Sequence, residues 1–171
     1  MAVLPVIQLG HNSLRKHAEN IQEIDDDIRT LAENMIDTMR AYDGIGLAGP
    51  QVNVLKRIFV IDFQVLNEED EAEAFINPVI LSAEGDEAME EGCLSIPDVR
   101  AEVARPTKLI VQYETLDGNE VKAELDGLPA RVFQHELDHL DGVLFIDKIS
   151  FLQKKMIEPQ LQKIREANSL T

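Results

Sequence analysis

The stretch Pro129-Ala130-Arg131-Val132-Phe133-Gln134-His135-Glu136-Leu137-Asp138-His139-Leu140 predicts one amphipathic helix. Pro129 suits a first helical position, where its missing N–H would have no partner, and Gly142 supplies the stop. Within the stretch, His135-Glu136-Leu137-Asp138-His139 is an H-E-x-x-H segment. Four-residue spacing puts both imidazoles on one helix face, where they can grip a single metal ion. Glu136, beside the first histidine, can reach a water at that ion and act as general base. Leu128 and Val132 continue the stripe, so the histidines point inward. The plainer alternative is a pair of partly buried histidines on an ordinary helix. Against it stands the use of two of only four histidines at this spacing, with the glutamate in place.

Outward from this helix, Ile24, Ile28, Leu31, Met35 and Met39 recur at helical spacing after an acidic Asp25-Asp26-Asp27 first turn, which predicts a helix ending near Tyr42. A third helix forms the tail, at about 150–168, with Ser150 as its cap and a kink or break expected at Pro159. Arg57–Asp62 is a β-rich run. Lys108–Thr115 and Glu120–Leu125 flank Leu116-Asp117-Gly118-Asn119, a hairpin signal. Helix, antiparallel strands and then helices is the order of an α+β chain rather than of alternating β-α-β units. The expected fold is a set of antiparallel sheets packed around a central H-E-x-x-H helix, with one helix before it and one after. At 171 residues, the chain 1–171 is expected to form a single catalytic domain, tail included.

Composition narrows the function classes. The chain is 44% hydrophobic and carries 16 basic and 32 acidic residues, a net charge of −16. Lys148, Lys154, Lys155, Lys163 and Arg165 against Glu158 and Glu166 leave the tail at +3 and the rest at −19. Such a body cannot wrap a phosphate backbone, so DNA is excluded as a partner. No stretch approaches the roughly 20 apolar residues of a membrane span, and nothing at the start reads as a targeting signal. A single cysteine excludes an internal disulfide framework and fits a reducing compartment, so a cytoplasmic location is expected.

Two histidines leave a metal short of a ligand. Where extended metallopeptidase motifs place a third histidine, this chain has Phe145, and no histidine follows His139. The remaining candidates are a downstream carboxylate such as Asp147 or Glu158, or something upstream. Upstream stands Cys93, in Glu91-Gly92-Cys93-Leu94-Ser95-Ile96-Pro97. A lone cysteine is by default a small buried hydrophobe, or it can be a nucleophile paired with a histidine base. The missing ligand favours instead a Cys-His-His site with a fourth position open to water. Gly44-Ile45-Gly46-Leu47-Ala48-Gly49-Pro50-Gln51-Val52 follows a helix and precedes a strand, the wrong order for a phosphate-cradling turn. Alone it is a flexible turn, although its missing Cβ atoms let backbone pass close to a substrate and Gln51 can offer an amide hydrogen bond.

Taken together and in this order, Gly44–Val52, Glu91–Pro97 and Gln134–Leu140 resemble the motifs of the peptide deformylases, of the bacterial type with a helical tail. The resemblance implies hydrolytic removal of the formyl group from the N-terminal formylmethionine of nascent polypeptides. It implies Cys93, His135 and His139 as ligands of Fe(II), with Zn, Ni or Co able to substitute. Glu136 would take a proton from water and pass it to the leaving amine, and the Leu94 N–H and Gln51 side chain would form an oxyanion hole. Gly46 would pair with the substrate backbone. Ile45, Glu91, Leu128 and Val132 match positions bordering a methionine pocket, and Arg100 a substrate-facing one. The tail helix would dock on the ribosome. Departures are Gly49 for the loop's usual alanine, a change that would loosen the loop, His11-Asn12-Ser13 for a Pro-Asp pair before Leu14-Arg15, and Asn53 for a glycine. Another H-E-x-x-H metallopeptidase would need a downstream third ligand, and a module with a structural metal would leave Glu136 without a purpose.

Overall fold

The computed structural model describes residues 2–65 and 67–169. In chain order the elements are α1 (Asp26–Ala41), β1 (Gly46–Ala48), β2 (Ile58–Asp62), β3 (Ala72–Glu84), β4 (Glu87–Cys93), β5 (Ile96–Arg105), β6 (Lys108–Glu114), β7 (Glu120–Asp126), α2 (Gly127–Leu140) and α3 (Phe151–Ala167). Strands β1-β2-β3-β6-β7 form one antiparallel sheet in that order, and β4 and β5 form a separate two-stranded sheet. The expected α+β arrangement, with antiparallel sheets around the H-E-x-x-H helix, is the arrangement observed.

Strand β2 explains how the layers stack. All five of its residues are buried, and successive side chains leave on opposite faces. Ile58 and Val60 join Ile28, Ala32, Met35 and Met39 of α1 in one core, while Phe59 and Ile61 join Ala130, Phe133 and Leu140 of α2 in another. The sheet is thus sandwiched between two helices, which is why β2 reads as a continuous apolar run. Phe133 meets Phe59 and Phe75 edge-on at ring-centroid distances of 5.1 and 5.6 Å, which pins α2 to the sheet. The hairpin β4–β5 has its own core: Val99, Ala101 and Val103 alternate inward onto Leu144, Phe145, Ile146 and Leu161.

Several local expectations change. Asp25 is the N-cap of α1 rather than part of its first turn, its carboxylate accepting the Ile28 N–H at 3.1 Å, and Ile24 lies outside the helix. Helix α2 starts two residues before Pro129, at Gly127. Gly142 ends the turn after α2 at φ +75°, where a Cβ would lie 2.6 Å from the Arg15 carbonyl oxygen, so only glycine fits. Pro159 does not break α3, which runs unbroken for 17 residues. The helix survives the lost hydrogen bond because Ile157, Leu161 and Ile164, spanning the proline at helical spacing, all pack on the hairpin core. Gly49 does not loosen its loop either. A Cβ there would sit 2.7 Å from the Val54 carbonyl oxygen and 2.9 Å from that of Lys56, so the backbone packs tightly.

Candidate active site

The Gly44–Val52 segment is a short strand followed by a 3₁₀ turn, not a free loop. Gly46–Ala48 pairs with Phe59–Ile61 as the edge of the large sheet. Its outer side faces a cleft of about 800 Å³ whose opposite wall is the end of β4 and the turn into β5. The floor is α2, through Leu128, Val132, His135 and Glu136.

Cys93 closes β4, and His135 and His139 come from successive turns of α2. One donor atom from each lies within 4.8 Å of the others, and the Cys93 Sγ is 3.4 Å from the His139 Nε2. Neither downstream carboxylate joins them. Asp147 is paired with Arg15 and caps the Leu144 N–H, and Glu158 is paired with Arg165 on α3. A thiolate and two imidazoles suit a divalent transition metal with a fourth position open. Two of the three buried side-chain atoms left without a hydrogen-bond partner among the described residues, Glu136 Oε1 and His139 Nδ1, belong to this motif. The Glu136 oxygen fits a site that completes its bonding with water, whereas the His139 Nδ1 lies on the ring edge away from the Cys93 sulfur, which faces Nε2. Phe145, at the position of the absent third histidine, stacks on the His135 ring with an interplanar angle of 26°.

Gln51 is buried, and its amide has a set direction. Its Oε1 accepts the Ala48 N–H at 2.9 Å, so the Nε2 donates to Ser95 Oγ at 3.1 Å and lies 3.5 Å from the Cys93 sulfur. Leu94, next to that sulfur, begins the two-residue turn between β4 and β5 and lines the cleft. Burial pushes the Glu136 carboxyl up to about 7 and holds the His139 imidazole well below its usual range. A Cβ on Gly46 would lie 2.6 Å from the Glu136 Oε2, so the missing side chain is what lets β1 pass over this carboxylate. Gly46→Ala is therefore expected to displace Glu136, slowing turnover with bound metal unchanged. Overpacking of this kind costs about 1–3 kcal/mol. Parallel metal analysis and single-turnover kinetics check it, and a fully active variant would refute the contact.

The remaining residues singled out in the sequence divide. Ile45, Leu128, Val132 and Arg100 line the cleft, with the Arg100 guanidinium tethered at the rim to Glu90 at 2.8 Å. Glu91 also borders the cleft, but its carboxylate is fully engaged inside the protein. Its Oε1 takes the His135 Nδ1 at 2.9 Å and the Arg105 Nη2 at 3.0 Å, and its Oε2 takes Arg105 Nε and Arg131 Nη1, both at 2.6 Å. Burial alone would raise the Glu91 carboxyl, but the hydrogen bonds from His135 and Arg105 outweigh it and bring it down to about 2. Arg105, Arg131 and Asp138, which complete this network, carried no signal in isolation. Arg105 stands where the inward alternation of β5 asks for another apolar residue, and that mismatch is the one clue. His11 accepts the Ser13 N–H as a cap, and His17 is an exposed partner of Asp141.

The family model described as polypeptide deformylase matches residues 3–155 of this chain. A peptide deformylase of Agrobacterium fabrum is 45% identical over 168 residues, covering 98% of this chain and 99% of its own. Among solved structures, a peptide deformylase from Plasmodium falciparum superposes with a TM-score of 0.90 at 35% identity, covering 95% of each chain. A plant peptide deformylase superposes with a TM-score of 0.91 at 32% identity, covering 98% of this chain and 94% of its own.

Proposed function

The chain belongs to the peptide deformylase family, metal-dependent hydrolases that remove the N-formyl group from nascent polypeptides, and on that premise we propose how its own residues carry the reaction. Cys93, His135 and His139 would hold the metal, with Fe(II) as the native ion and Zn, Ni or Co able to substitute. A divalent ion held there supplies Lewis acidity and can lower the pKa of a water from 15.7 to about 7. Glu136, beside His135 and facing Gly46, takes the proton from the attacking water and returns it to the departing amine. The Gln51 Nε2 and the Leu94 N–H donate to the oxygen that becomes negative when the formyl carbon turns tetrahedral. Gly46 offers its strand edge to the peptide backbone, and Ile45, Leu128 and Val132 shape the room for the methionine side chain. Beyond its oxygen and nitrogen a formyl carbon bears only hydrogen, so close packing of β1 over Glu136 would favour formyl over bulkier acetyl groups.

The observation that carries this reading is that three mutually close donor atoms, of Cys93, His135 and His139, meet a cleft that Cys93 and His135 line together with Glu136 and the oriented Gln51 amide. It is tested by assaying formate release from formyl-Met peptides with anaerobically Fe(II)-loaded protein. Release at a rate above the metal-free protein is expected, and none would sink the reading. Gln51→Ala should lower turnover by about 10²- to 10³-fold with metal still bound, because one oxyanion donor is lost. An unchanged rate would remove Gln51 from the site.

The whole chain, 1–171, is assigned here to one catalytic domain acting in the cytoplasm. Among the described residues, no helix is long and apolar enough to cross a membrane. The tail is assigned to ribosome docking. Phe151, Leu152 and Met156 are 77%, 68% and 74% exposed on α3, beside Lys154 and Lys155, and the Lys155 Nζ lies 5.2 Å from the Phe151 ring centre. An exposed apolar patch edged with lysines suits an RNA-rich partner. Deleting α3 would uncover the core around Leu144 and Phe145, so point changes are the better probe. Lys154→Glu with Lys155→Glu is expected to weaken cosedimentation with ribosomes at low salt and leave formate release from formyl-Met peptides intact. Unaltered binding would end the docking assignment.

A further inference from the structure

The proposed ligands come from two separately built parts of the molecule. Cys93 sits on the β4–β5 hairpin, whose core is shared with α3, whereas His135 and His139 sit on α2, whose core is shared with the large sheet. One buried ionic cluster spans the join. Glu91, two residues before Cys93 on β4, receives Arg105 of β5 as a two-pronged pair and also receives Arg131 and His135 of α2. The third nitrogen of Arg105, Nη1, donates to Asp138 Oδ2 at 2.9 Å, next to His139. Arg131 in turn donates to two backbone carbonyls of the hairpin, Val103 at 3.0 Å and Glu87 at 2.6 Å. Each buried guanidinium thus faces a carboxylate, and Asp138 also lies 3.8 Å from the half-exposed Lys148 ammonium.

We propose that Arg105 is a positioning residue that clamps the Cys93 hairpin to the histidine helix in the metal-free protein, so that the three ligands stand assembled before an ion arrives. The inference rests on the Cys93-His135-His139 reading only for its consequence on metal affinity. The clamp itself is made entirely by the chain's own side chains. A planar fork is required, because one side chain must hold both Glu91 oxygens and Asp138 at once. A lysine ammonium at that position is a single point and cannot do so. Through Glu91 the same fork fixes the His135 Nδ1 as donor and leaves its Nε2 lone pair free for a ligand.

The test is hydrogen exchange of metal-free protein, followed by Zn(II) titration against a chromophoric chelator. In Arg105→Lys the amides of β4 and β5 are expected to exchange at least about 10-fold faster, with those of β2 and β3 unchanged, since opening confined to one unit leaves the rest protected. Zn(II) binding is expected to weaken by about 10- to 100-fold, the usual cost of losing an outer partner of a metal ligand. Asp138→Asn, which loosens only the arm to α2, should shift both readouts in the same direction by less, and it carries the test if Arg105→Lys does not fold. Unchanged exchange in β4 and β5, or acceleration spread equally over both sheets, would overturn the clamp. Faster hairpin exchange with unaltered Zn(II) affinity would leave the clamp standing and overturn the ligand assignment instead.

Discussion

Glu136→Ala is expected to release formate from formyl-Met peptides about 10²- to 10⁴-fold more slowly than the parent protein, with its metal content unchanged. The range is what a positioned proton-transfer group contributes. The position is set by α2, which holds the residue beside His135, and by the bare backbone of Gly46, which leaves the carboxylate its room. The Glu136 Oε1 is buried with no hydrogen-bond partner among the described residues, so removing it breaks no internal pair there and need not loosen the fold. Metal analysis on the same sample separates the two possible losses. An active variant would remove Glu136 from the chemistry, and an inactive one that had also lost its metal would assign it a structural role instead.

Cys93→Ala should lose more than the roughly 100-fold in metal affinity that an outer partner commands, since a direct ligand is removed, and activity should disappear with the ion at ordinary metal concentrations. Its folding should suffer little. Cys93 is only partly buried at the end of a strand, and the Glu91–Arg105–Arg131 cluster that braces this segment does not involve it. Equilibrium dialysis against Fe(II) or Zn(II), with circular dichroism as the fold control, measures the effect. Full metal binding by the variant would return the search for a third ligand to the rest of the chain.

Much of the site was legible because its signals are local. Two histidines four apart with a glutamate between them state their shared face through helix geometry alone, and glycines in Gly44–Gly49 announce close backbone passage. The strands β3, β4 and β5 were not legible to the same degree. Strand β3 leaves the core along its length and is mostly exposed after Pro78, and β4 is exposed from Glu87 to Glu90 before Glu91 turns inward, so neither alternates cleanly enough to stand out. Pro159 misled for the opposite reason. Its local cost is real, but packing of Ile157, Leu161 and Ile164 overrides it. Glu91 is the most instructive case: the resemblance put it at the border of a pocket, and it does line the cleft, while two guanidiniums and the His135 imidazole hold its carboxylate inside the protein.

The helix that carries His135, Glu136 and His139, the antiparallel strands before it, and the family can all be read from residue order, because each depends on periods and motifs a few residues long. That the Cys93 sulfur lies beside those histidines, and that Asp147 and Glu158 do not, follows from the packing of distant segments. The same packing decides that Arg105 faces a carboxylate where its strand pattern called for an apolar side chain. Those outcomes are set by how two separately packed cores meet and by the need to neutralise every charge buried between them, and no local period encodes either condition.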